Sequence, residues 1–176
     1  VYTGAATSMD CDDPMDRAME IVTRARVQGP EALHEGHRKH WQGFWEKSGI
    51  ELQDRFLESL WYLSLYQLAS TSRGKTAPGL CGLWNMMKSP PWHGDYHGDI
   101  NMVMTYWGIF GTNHLEIGEP FFETFSHLLP ISKQQTMELY GIDGVKYPIA
   151  TLDTGVELTG DYYRIMQCTS GFYALV

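Results

Sequence analysis

Apolar residues recur at helical spacing through most of the chain. Met15, Ala18, Met19, Val22 and Ala25 share one face of a helix that Asp13 and Pro14 open as N-cap and first-turn residue. Gly29-Pro30 ends this helix and starts a second, in which Leu33, His37, Trp41, Phe44 and Trp45 line up and Gly49 closes the C-terminus. A short extended piece, Ile50-Glu51-Leu52, follows. From Asp54 to Ala69 the apolar positions Phe56, Leu57, Leu60, Trp61, Leu63, Leu65 and Leu68 cover most of the helix circumference, which predicts a buried helix.

Ser70-Thr71-Ser72-Arg73-Gly74 stops that helix, and a long loop rich in Gly and Pro runs on to Gly98. Loops of this length in compact domains are usually functional. Helical period returns at Asp99 with Ile100, Val103, Met104, Trp107 and Phe110, again after Pro120 with Phe121, Phe122, Phe125, Leu128 and Leu129, and from Ser132 to Tyr140 with Gly141 as stop. Residues 142–165 read as loop with short strands, and a last helix starts near Gln167. The pattern predicts an all-α chain of about seven helices without a convincing sheet. Helices alternating with long loops suit an α/α barrel or bundle. Trp41, Trp45, Trp61 and Trp107 fall on helix faces and read as core.

Composition narrows the choice of ligand. The 176 residues make one domain or part of a larger one, and 43% hydrophobic with 13% aromatic residues exclude a disordered chain. No apolar run approaches the ~20 residues that span a bilayer, so no membrane partner is expected. Thirteen basic against 21 acidic residues leave a net charge of −8, which argues against nucleic acid. An acidic chain rich in Trp and Tyr suits a neutral polar ligand such as a sugar. Cys11, Cys81 and Cys168 are widely spaced with no C-x-x-C, against a disulfide framework or a zinc ribbon. The N-terminal residues carry no basic or apolar leader pattern. The terminal run Gly171 to Val176 has no capping residue and reads as a chain cut within a larger catalytic domain.

Candidate chemistry concentrates in residues 78–107. The loop supplies Trp84, Asn85, Trp92, His93, Asp95, Tyr96 and His97, and the next helix start supplies Asp99 and Asn101. A pyranose needs this mixture: aromatic faces for its C–H side, and amide or carboxylate groups for its hydroxyls. Simpler readings stand beside it. Asp99 is a natural N-cap, a position that also favours its charged form. Trp84 and Trp92 also suit wedges over the core. His93, Asp95, His97 and Asp99 offer two imidazoles and two carboxylates to a metal, although no H-E-x-x-H or C-x-x-C signature supports one. No cofactor motif is present.

Gly-Leu-Trp-Asn at 82–85, then Pro-Pro-Trp-x-x-Asp-Tyr-His-x-x-Ile-Asn-x-x-Met-x-Tyr-Trp from Pro90 to Trp107, resembles the catalytic-domain signature of glycoside hydrolase family 95, the α-L-fucosidase family. His37-x-x-x-Trp41 with Phe44-Trp45, Leu63 to Leu68 with Ser72-Arg73, Glu119-Pro120-Phe121-Phe122 and Tyr140-Gly141 are similar to its flanking motifs. The resemblance covers roughly Asp13 to Val176.

It implies residues 1–12 as a disordered or linker terminus, 13–49 as leading helices, and 50–176 as the N-terminal part of an (α/α)6 barrel. It further implies inverting hydrolysis of α-L-fucosidic or α-L-galactosidic bonds in a glycan, with Trp84, Asn85, Trp92, His93, Asp95 and His97 binding sugar. The partner would be the rest of the same catalytic domain, which would carry the general acid and base beyond Val176, and the location would be secreted or periplasmic. Where the family has Asn-x-Asn to hold the attacking water, this chain has Asp99-Ile100-Asn101. Either Asp99 takes over as base or the subsite takes another sugar. A non-catalytic sugar-binding or structural fragment, and a metal-dependent hydrolase, remain as alternatives.

Overall fold

The computed structural model describes all residues except Trp84, Met86, Thr159, Gln167 and 174–176, and only the backbone of Asp161, Tyr162, Phe172 and Tyr173. The chain forms two compact units, Val1–Gly49 and Ile50–Val176.

In the first unit one helical span, α1 (Pro14–Trp45), begins as its sequence dictates: the Asp13 carboxylate accepts from the Asp16 N–H at 3.0 Å, and Pro14 occupies the first turn. At Gly29 the backbone turns to φ 78°, ψ 162°, a conformation that costs glycine little. Pro30 follows without an N–H to donate, so α1 is two helical segments in succession. Near its end Trp41, Phe44 and Trp45 pack together, with Trp41 stacked on Trp45 at 5.9 Å and Phe44 edge-on to Trp45 at 4.7 Å.

The second unit starts with α2 (Arg55–Thr71). Its N-cap Asp54 accepts from the N–H groups of Phe56 and Leu57. Then come β1 (Tyr96–His97), α3 (Ile100–Gly111), a 3-10 turn at Leu115–Gly118, α4 (Glu119–His127), α5 (Leu129–Tyr140), β2 (Ala150–Thr151), α6 (Asp161–Arg164) and α7 (Cys168–Tyr173). The described chain is mostly helical. None of its helices is long and apolar enough to cross a membrane.

The core is a line of aromatic rings. Tyr106 of α3 meets Phe121 of α4 at 4.8 Å, Phe121 meets Phe125 at 4.8 Å, and Tyr96 and Tyr147 flank Phe125 at 6.1 and 6.0 Å. Val103, Tyr106 and Ile109 are fully buried at i, i+3 and i+6 along α3. Each fully buried side chain of this size contributes about 1.5–3 kcal/mol. The buried face of α5 is polar instead. Thr136 Oγ1 donates to Ser132 O at 2.6 Å and accepts from the Lys146 N–H at 2.7 Å, which ties the 142–149 segment to the helix.

Three expectations need correction. α2 is a helix but not a buried one: only Leu65 and Ala69 are buried, while Phe56 is 73% exposed and Leu57, Leu60 and Leu63 about half exposed. An all-round apolar helix is buried only if neighbours cover every side, and this unit covers one stripe. Likewise Trp107 lies exposed on the outer side of α3, with Trp41, Trp45 and Trp61 intermediate. A small antiparallel sheet also forms, pairing Tyr96 with Thr151 and His97 with Ala150. Two-residue strands are too short to show a period of two. Finally, α5 begins at Leu129 rather than Ser132, and the short α6 lies in a stretch that reads as loop. Gly141 closes α5 in the left-handed conformation as expected.

Candidate functional site

The loop that leads to the site residues is pinned at both ends. The Tyr96 hydroxyl donates to Ala77 O at 2.8 Å, and the Ala77 N–H donates to Thr124 Oγ1 at 2.7 Å. Leu80 N–H reaches both Gly94 O and Asp95 O at 3.2 Å, and Gly98 N–H donates to Ile149 O at 2.6 Å. Burial, with the Asp153 carboxylate adding to it, pushes the Tyr96 phenol above its usual range, so this anchor keeps its proton.

Pro91–Gly94 forms a 3-10 turn in which Trp92 and His93 hold left-handed φ angles of 49° and 56°. Such angles cost of order 1–2 kcal/mol in residues with a Cβ. Trp92 is left 66% exposed. Its ring lies 5.6 Å from the His97 ring, tilted by 57°. His97 Nε2 is 2.6 Å from Asp95 Oδ1, and the Asp95 side chain is 6% exposed against 16% for His97. Both atoms are buried, and neither forms an aligned hydrogen bond with any described group, so the contact is close but bent. The structure therefore brings Trp92, Asp95 and His97 into one cluster.

Asp99 stands at the N-cap of α3, but with φ −78° and ψ −130° its carboxylate makes no capping hydrogen bond. Its Oδ1 is buried and unpartnered among the described residues. Position alone had pointed to a cap; the carboxylate does not serve as one.

Asn101, two residues on, is exposed and lines a cavity of about 650 Å³ with α2 and the 78–82 segment. Around it are Ser64, Gln67 and Thr105, which sequence reasoning passed over. Their signal was present: Ser64 and Gln67 on α2, and Asn101 and Thr105 on α3, are polar pairs about one turn apart on helices. Asp99 does not line this cavity. Asn85 Oδ1 accepts from the Met87 N–H at 2.8 Å in a local turn. His93 is exposed on the strained turn. Trp84 lies outside the described residues, as does Met86.

Among the described residues no three His, Cys, Asp or Glu groups meet in a cluster able to hold a metal ion. The metal set left open by the sequence at His93, Asp95, His97 and Asp99 does not assemble. The described residues of this segment present an exposed indole, a buried carboxylate–imidazole contact, and, at a helix start, a carboxylate oxygen without a partner among the described residues.

Residues 20–166 match the family model described as the glycosyl hydrolase family 95 catalytic domain. A probable alpha-fucosidase A of Aspergillus niger is 28% identical over 161 residues, 78% of this chain and 20% of that protein. Alpha-L-fucosidase 2 of Arabidopsis thaliana is 36% identical over 89 residues, 50% of this chain and 11% of its own length. A kojibiose hydrolase of Mucilaginibacter mallensis is 29% identical over 164 residues, 90% of this chain and 23% of that protein. The chain spans between about a tenth and a quarter of the length of these relatives.

Proposed function

Because this chain belongs to the glycosyl hydrolase family 95 catalytic-domain family, we propose that it forms the water-side part of an inverting glycosidase acting on terminal α-L-fucosides or α-L-galactosides. The observation that carries this reading is the family match across residues 20–166. Its fold would be the first helices of an (α/α)6 barrel, with 13–49 leading into it. The mainly helical second unit and the outward apolar faces of α2 and α3 support that arrangement.

In this reading Asn101 and Asp99 hold the attacking water at the start of α3, where the helix dipole favours negative charge. Asp99 takes the water proton on its carboxylate. A general acid from the rest of the catalytic domain protonates the leaving oxygen, separated from the base by the space a water needs. Trp92 stacks on the sugar, Asn85, His93 and His97, with Trp84, address its hydroxyls, and Asp95 stands behind His97.

The test uses the full-length protein and an aryl α-L-fucoside. The first-formed sugar, followed by NMR, has the inverted anomeric configuration; retention overturns the mechanism. Asp99→Ala lowers kcat by about 10²–10⁴, and unchanged activity removes Asp99 from it. The 176-residue chain by itself shows no turnover; turnover would place the acid among these residues. Kojibiose is the second substrate to assay, since the kojibiose hydrolase relative matches 90% of the chain. Asp99→Asn then reports whether Asp99 sets the preference between the two sugars.

A further inference from the structure

We propose that Asp95 is a positioning residue: it holds the His97 ring, which lies beside the exposed Trp92 ring, with Nε2 toward its own carboxylate, so that Nδ1 accepts a hydrogen bond from a hydroxyl of the bound sugar. This inference rests on the glycoside-binding reading above and deepens it by naming the hydrogen-bond polarity of one subsite.

The geometry is specific. Asp95 Oδ1 and His97 Nε2 are 2.6 Å apart, both atoms are buried, and neither has another partner among the described residues. Each is therefore the group available to satisfy the other. Contacts of this kind in ligand-free sites often tighten only when the ligand binds. The frame around the pair is rigid. His97 is paired with Ala150 in the sheet, Gly98 N–H is held by Ile149 O, and the Asp95 N–H donates to Trp92 O at 3.2 Å.

The second ring nitrogen faces a different situation. Nδ1 bonds no described group, and 16% of the His97 side chain stays exposed. With the proton on Nε2, neutral Nδ1 is an acceptor. A ligand that offers an O–H there is recognised, and a deoxy analogue is not. Trp92 defines the other wall: the strained turn holds its indole 66% exposed and 5.6 Å from the imidazole. An apolar ring face beside a directed acceptor fits a pyranose with one axial or equatorial hydroxyl in reach of Nδ1.

Two measurements on the full-length protein test this. In protein with 15N-labelled histidine, the His97 signals, assigned by His97→Gln, show the Nε2–H tautomer, and Asp95→Asn shifts them toward the other tautomer or a mixture. In kinetics on the aryl α-L-fucoside, Asp95→Asn raises KM about tenfold, the size of one hydrogen bond, with kcat within about twofold. Asp95→Glu recovers part of the loss, and Trp92→Ala raises KM while Trp92→Phe does so less. A His97 tautomer indifferent to Asp95→Asn overturns the proposal, as does a fall in kcat without a rise in KM. If no glycoside is turned over at all, the functional reading fails while the tautomer measurement still judges the Asp95–His97 relation.

Discussion

The Ser72 hydroxyl lies 3.1 Å from the phenol oxygen of Tyr106, 34 residues along the chain, in a fully buried position. Ser72 spends its own proton on Ile117 O at 2.7 Å, so Tyr106 is the donor of the pair. Burial accordingly pushes the Tyr106 phenol up to about 12.

This gives the first prediction. Below pH 10 folded and unfolded chains both keep the proton, and the contribution is fully present. Between 10 and about 12 the unfolded chain releases it while the folded chain does not, so stability falls as pH rises. The loss is of order 2–3 kcal/mol. Urea unfolding from pH 8 to 12 measures it. Tyr106→Phe flattens the alkaline fall, leaving the smaller part due to Tyr96 and Tyr147, which burial shifts the same way. An unaltered slope in Tyr106→Phe contradicts the assignment.

Thr124 is the second. Its Oγ1 accepts from Ala77 N–H and donates to Pro120 O, both at 2.7 Å, with the residue 3% exposed. Thr124→Val keeps the shape but strands the buried Ala77 N–H. The expected cost is about 1–3 kcal/mol, while Thr124→Ser stays within about 1 kcal/mol of the parent. Chemical denaturation separates them; equal stabilities would mean that Ala77 finds another acceptor.

The buried ion pair makes the third. Lys146 Nζ contacts Glu157 Oε1 at 2.8 Å, with 7% and 10% of the two side chains exposed, and Arg164 stands 3.5 Å from the other oxygen. Removing one partner leaves a buried charge, which is worse than removing both. Lys146→Met costs about 2–4 kcal/mol, less than an isolated pair because Arg164 remains. Lys146→Met with Glu157→Gln regains part of the loss. A double variant less stable than the single one would sink this account.

Gly155 is the fourth. It holds φ +78°, and a Cβ there would collide with Ile131 Cγ2. Gly155→Ala combines a strained backbone with a collision, at a cost of about 2–4 kcal/mol. Combining it with Ile131→Ala removes the collision, so a thermal-melt double-mutant cycle shows favourable coupling. Strict additivity would place the cost in the backbone alone.

The candidate site divides along the same line as the fold. The residue types in 78–107, with their indoles, amides and carboxylates, are legible in the sequence and carried the expectation of a sugar site. Their grouping is another matter. Asn101 faces a cavity with Ser64 and Gln67 of a distant helix, while His97, four residues earlier, is turned to Asp95 and Trp92 by pairing with Ala150. Asp99 has the residue type of a cap but not the bond of one.

What the sequence by itself determined is local. Asp13 and Asp54 cap helices because a short carboxylate reaches N–H groups two or three residues on. Gly29-Pro30 breaks α1, and Gly141 closes α5, because their own backbones require it. The tertiary structure alone decided burial and pairing. Leu57, Leu60 and Leu63 have the same chemistry as Leu65, yet Leu65 alone of the four is covered. Tyr96 and His97 become a strand only because Ala150 and Thr151 arrive beside them. Burial and strand pairing depend on atoms remote in sequence, and no pattern within a segment states where those atoms will be.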